Sequence, residues 1–211
     1  MVRRGSAAVA ALIAVLFTAG CATVPEPPVS DAQIAQIRTV MLDQQWRSVS
    51  IYYPELERPV VRVERTVSPY QWTRVLGDCL HDAGYNVEVS TDGMSFSADS
   101  GGSVQDYSLA TYVCTARFPD FGTVISQLDA PAFIALQAFW AGTVAPCLTL
   151  AGEPAPRVAP EGSPEITAQS VIGMGAYPIA GLVQGREEAD VARLEQRCPT
   201  VPAWLDLARG Q

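Results

Sequence analysis

Few groups in this chain can do chemistry. Of its 211 residues one is histidine, five are cysteine, and all 14 basic residues are arginine. Without lysine, Schiff-base chemistry, phosphate-loop lysines and Ser-Lys dyads are excluded. The single histidine, His81, excludes two-histidine metal sites and the HExxH zinc motif. A Ser-His-Asp triad would have to use His81, yet no GxSxG turn accompanies it. His81 falls in the last turn of a predicted helix, where a surface imidazolium interacts favourably with the helix dipole. Carboxylate chemistry remains, since two acids within roughly 5–10 Å can hydrolyse a glycosidic bond. The adjacent acids are Glu55 with Glu57 and Glu187 with Glu188, but both pairs lie in polar runs that read as solvated faces. No cofactor fingerprint, phosphate-cradling loop or calcium loop is present, so no cofactor and no metal are expected.

The cysteines divide by context. Cys21 follows Arg3-Arg4, an apolar run from Ala7 to Phe17 and the small residues Thr18-Ala19-Gly20. That order is a secretory signal peptide, too short for a spanning helix. Gly5 and Ser6 after the arginine pair favour the general secretory route over a twin-arginine signal. Thr18-Ala19-Gly20-Cys21 resembles the lipobox of bacterial lipoproteins, which implies cleavage before Cys21 and acylation of its thiol. Two acyl chains suffice for stable anchoring at about 0.8 kcal/mol per buried CH₂. Removing residues 1–20 takes away two arginines and no acid, moving the formal charge from −8 to −10. So acidic a surface repels nucleic acid and anionic lipid.

Cys79, Cys114, Cys147 and Cys198 remain. In an exported chain an even number implies two disulfides, with three connectivities open by counting. CxxC-like spacing, which a zinc site would use, is absent. Cys79 and Cys147 both open a CLxxAG motif, at 79–84 and 147–152, and each follows a tryptophan by seven residues, Trp72 and Trp140. Cys114 and Cys198 each end an apolar segment and precede a proline, Pro119 or Pro199. The chain thus reads as two echoing units, and the simplest pairing is Cys79 with Cys114 and Cys147 with Cys198.

The elements that must position these residues follow from local signals. Residues 21–29 form a Pro-rich tether. Ser30 caps a helix, with Gln33 completing a capping box and Val29 and Ile34 forming a hydrophobic staple, ending near Trp46. After an irregular stretch over 50–58, residues 59–67 alternate as a half-buried strand. Ser68-Pro69 opens the next helix with Gln71 in the capping-box position, and Gly84 stops it. Asp92-Gly93 predicts a hairpin with Val89 opposite Phe96 and Val87 opposite Ala98, which the 60–66 strand could join as a third strand. A helix over 103–117 delivers Cys114, and 118–127 reads as loop. Asp129 caps a long apolar helix over 130–151 that Pro146 must kink or divide. Residues 152–162 are linker, Ser163-Pro164 opens a short helix, 173–185 is glycine-punctuated loop, and 186–197 is a charged helix leading to Cys198. Trp204 and Leu205 are placed to dock the tail.

The expected fold is therefore α+β and predominantly helical. A small antiparallel hairpin or three-stranded sheet packs on disulfide-stapled helices. The organisation is a signal peptide over 1–20, a tether over 21–29 and one globular domain over 30–211, with echoing units at about 59–119 and 129–205. With Tyr53-Pro54, Arg58-Pro59, Trp72, Cys79-Leu80, Gly84-Tyr85, Asp92-Gly93, Cys114, Pro119, Pro146-Cys147-Leu148, Gly152, Cys198-Pro199 and Pro202 in place, the chain resembles an uncharacterised actinobacterial lipoprotein family. That resemblance implies location and disulfides and no activity.

Two functions follow as expectations. The first is a membrane-tethered binding module on the extracytoplasmic face, meeting an envelope protein, peptide or glycan through an aromatic surface at Tyr52, Tyr53 and Tyr177. The second is an envelope hydrolase using paired carboxylates.

Overall fold

The computed structural model describes residues 28–90, 96–99, 102–154, 178–179, 182–183 and 186–211. Chain order gives α1 (Asp31–Ser50), α2 (Pro69–Asp82), β1 (Asn86–Val89), β2 (Phe96–Asp99), α3 (Val104–Arg117), α4 (Phe121–Ile125) and α5 (Ala130–Phe139). A π-turn (Trp140–Val144), α6 (Ala145–Leu150), α7 (Glu188–Arg197) and a 3₁₀ turn (Ala203–Leu205) follow. The architecture is α+β and mainly helical, as expected.

Helix α1 starts as its sequence dictates. Ser30 Oγ accepts from Gln33 N–H, Gln33 Oε1 accepts from Ser30 N–H, and both staple residues, Val29 and Ile34, are buried. It runs one turn past Trp46, because Trp46 and Val49 pack on α3, where the Trp46 ring meets Tyr112 edge to face at 5.1 Å.

The hairpin has the expected register, with Val89 opposite Phe96 and Val87 opposite Ala98. Its Asp92-Gly93 turn lies outside the described residues. Among the described residues the sheet has two strands, and the 60–66 stretch expected as a third does not join it. Residues 59–67 instead run extended along the far end of α3. Glu64 N–H donates to Arg117 O, Val67 N–H donates to Pro119 O, and Phe121 N–H returns to Val67 O. Val63 is buried in the largest hydrophobic cluster, away from the hairpin. Alternation reports a half-buried extended segment and says nothing about its neighbour.

The stretch read as loop over 118–127 contains α4. Asp120 caps it, accepting from Thr123 N–H at 2.9 Å, and Phe121, Val124 and Ile125 enter the main core. At five residues the helix is too short to show an apolar period.

Pro146 divides the long apolar helix through a π-turn. In an unbroken α-helix its ring would clash with the Gly142 carbonyl and leave that group unbonded. The chain widens instead, and Ala145 N–H reaches back five residues to Trp140 O.

Both disulfides join helices in the pairing that the echo suggested. Cys79 of α2 bonds Cys114 of α3, with Cα atoms 5.8 Å apart, and Cys147 of α6 bonds Cys198 at the end of α7, at 5.7 Å. Each CLxxAG motif ends its helix identically. Gly84 (φ +94°) donates to His81 O and Tyr85 N–H donates to Leu80 O; Gly152 (φ +84°) donates to Thr149 O and Glu153 N–H donates to Leu148 O. Glycine adopts this left-handed geometry without a Cβ penalty. The helix expected from Ser163 lies outside the described residues.

The tail docks more extensively than Trp204 and Leu205 suggest. Leu205 and Leu207 are buried. Arg209 donates to Asp31, Trp204 O and Val29 O, Arg38 donates to Leu207 O and Arg209 O, and the Gln211 amide pairs with both backbone groups of Val63. Helix α1 and the tail thus clamp each other.

Candidate functional site

The residues singled out for chemistry do not converge. His81 is exposed in the last turn of α2, and Glu55, Glu57 and Glu187 are exposed. Of Glu188 only the backbone, at the start of α7, is described. Among the described residues no group of three His, Cys, Asp or Glu side chains could hold a metal ion.

The aromatic surface divides. Tyr52 is 77% exposed and its neighbour Ile51 is 68% exposed. Tyr53 turns inward against the cluster of Val49, Tyr112 and Ala116. Cys21 and Tyr177 lie outside the described residues. The loop carrying Tyr52 is anchored by Arg58, whose Nε donates to the Tyr112 hydroxyl at 2.9 Å and whose Nη1 meets Asp43 at 2.5 Å. Ile51 and Tyr52 thus stand exposed side by side on an anchored loop.

A second feature was not foreseen from sequence. Glu195, in a helix whose composition reads as solvated, is only 5% exposed. Ser68 Oγ and Gln71 Nε2 both donate to its Oε2, each at 2.6 Å, and Thr200 Oγ1 donates to Oε1 at 3.3 Å. Ser68 and Gln71 are the residues expected to form the α2 capping box; the Ser68 side chain makes no cap bond, because both side chains are committed to Glu195. Burial pushes the Glu195 carboxyl above the usual carboxylate range, against the hydrogen bonds from Ser68, Gln71 and Thr200 and the charge of Arg65. The same seclusion, with the nearby Glu195 charge, raises Tyr70. The available signal was positional: Val191, Leu194 and Cys198 mark the buried stripe of α7, and Glu195 holds its i+4 position.

No family model, curated protein or solved structure matches this chain.

An open groove of about 480 Å³ is lined by Arg65, Thr66, Phe139, Pro199, Val201 and Pro202 among others. The stretch before α2 forms one wall and the stretch after α7 the other. The buried carboxyl of Glu195 bridges the start of α2 and the stretch after α7, a seam between the two disulfide-linked helix pairs.

Proposed function

We propose that this chain is a lipid-anchored binding module on the extracytoplasmic face of a cell membrane, in keeping with its resemblance to actinobacterial lipoproteins. The observation that carries the reading is the use of cysteine. All four described cysteines are spent in two disulfides, which leaves Cys21, in its Thr-Ala-Gly-Cys setting, for acylation. Disulfides of this kind persist in oxidising compartments.

The geometry supports a binding role over a solvent-exposed carboxylate pair. The tether would enter at the first residue of α1. That helix of 20 residues spans about 30 Å, so a helix standing away from the membrane would carry Ile51 and Tyr52 at its remote end. An envelope protein, peptide or glycan would be met there.

Metabolic labelling with an alkyne fatty acid tests the anchor. Wild type takes up the label and partitions into membranes, while C21S does neither. A mature protein that begins at Ala22, or that carries no label, overturns it. For the tip, a photocrosslinker at position 52 should capture a partner in intact cells that one at exposed position 81 does not. Equal capture from both positions would remove the tip from consideration.

A further inference from the structure

Glu195 has no role in the binding tip, yet it is the most elaborately partnered buried acid among the described residues. Its donors come from two separated stretches, Ser68 and Gln71 at the start of α2 and Thr200 just beyond α7. The charged or titratable groups facing it are Arg65, on the extended segment before α2, and Tyr70, on the first turn of α2.

The two carboxyl oxygens are not equivalent. Oε2 already receives two short bonds. Oε1 receives only the longer one from Thr200, and a hydroxyl can accept as readily as it donates. A proton from solvent can therefore settle on Oε1 and point to Thr200 Oγ1, while Ser68 and Gln71 go on donating to Oε2. No hydrogen bond is lost, no covalent bond other than the new O–H changes, and the cost of keeping a charge out of water disappears. The hydrogen bonds from Ser68, Gln71 and Thr200 oppose this, because donors favour the ionised form, but burial outweighs them; the charge of Arg65 opposes it too. Arg65 is exposed, and its guanidinium is also engaged over the Phe118 ring at 6.0 Å, so solvent screens its pull.

We propose that Glu195 is a proton-operated clasp across the seam, holding the start of α2 to the end of α7 more firmly as the surroundings turn acidic. The sign is opposite to that of an acid held by an ion pair. An acid whose folded form binds its proton more tightly than the unfolded chain contributes its full stabilisation below the unfolded titration point. It loses that contribution as pH rises through the folded one.

The test is urea unfolding of the full-length protein in non-ionic detergent from pH 4.5 to 8, with wild type beside E195Q. The amide can donate where the protonated acid would. Between the two titration points the wild-type unfolding constant should rise by up to about tenfold per pH unit relative to E195Q. Asp120 is also pushed up by burial, but it is present in both proteins and cancels in the comparison. Parallel profiles for the two proteins overturn the clasp. If E195Q does not fold, a carbon-13 titration of the Glu195 carboxyl in wild type decides. A midpoint above the ordinary glutamate range is the expected result, and one at or below that range overturns the proposal.

Discussion

The indole N–H of Trp140 donates to the backbone carbonyl of Thr200 at 2.9 Å, fastening the π-turn to the chain just beyond Cys198. Trp72 does the same in the other disulfide-linked pair, donating to Phe118 O at 3.1 Å just beyond Cys114. Each tryptophan lies seven residues before a cysteine and binds the backbone shortly after that cysteine's partner. The echo seen in the sequence is thus a shared device: a disulfide and an indole bond side by side.

Burial distinguishes the two copies. Trp140 is 2% exposed, so W140F leaves a buried carbonyl one donor short and should cost about 1–3 kcal/mol. Trp72 is only partly buried, and W72F should cost about 1 kcal/mol or less. Urea midpoints of the two variants check the order.

The disulfides close loops of similar length, with sequence separations of 35 and 51. Chain entropy grows only with the logarithm of loop length, so C79A/C114A and C147A/C198A should each cost about 4 kcal/mol, within roughly half a kcal/mol of one another. Guanidinium unfolding of each double variant measures this. A much larger loss for one pair would mean that it also organises packing in the folded state.

Gly77 is where the hairpin lies down on α2. A Cβ there would stand 2.8 Å from Val89 Cγ2 and 3.3 Å from Val87 Cγ1. G77A should therefore destabilise by about 1–2 kcal/mol, because the clash outweighs the roughly 1 kcal/mol gain in helix propensity. At Gly142 a Cβ meets nothing within 4 Å, so G142A should be neutral or stabilising by up to about 1 kcal/mol. Thermal melts should fall for G77A and stay level or rise for G142A.

Glu153 supplies a pH dependence of the opposite sign to Glu195. Arg186 grips it through two bonds, at 2.8 and 2.6 Å, and holds its carboxyl below the usual carboxylate range. A lowered folded titration point stabilises above the unfolded value and fades as pH falls through the folded one. E153Q should therefore lose stability at neutral pH and converge on wild type in acid. Melting curves from pH 2.5 to 7 follow the convergence.

The features legible in the sequence were those made by residues near one another in the chain. The Ser30 cap with Gln33 and the Gly84 and Gly152 stops rest on bonds a few residues apart, the hairpin register on pairs across one short turn, and all appear where expected. The disulfide pairing was legible for a different reason, because two copies of one local context indicated which partner belonged to which unit.

Ser68 shows where such reading stops. Its spacing to Gln71 matches a capping box, but both side chains turn to Glu195, more than 120 residues away. A local pattern records which bonds are available and cannot record a stronger acceptor brought in by packing. Glu195 itself belongs to a charged run, and only the docking of α7 against the start of α2 removes it from water. The same holds for the extended stretch over 59–67, whose pairing went to the end of α3, and for the tail, held by Arg38 of α1 and by its own Arg209 reaching back to Asp31. Composition and local chemistry determined the helices, their ends, the staples and the shortage of catalytic groups. Tertiary structure alone decided which acid is buried and which face is left exposed, because burial is a property of what packs against a residue and not of the residue.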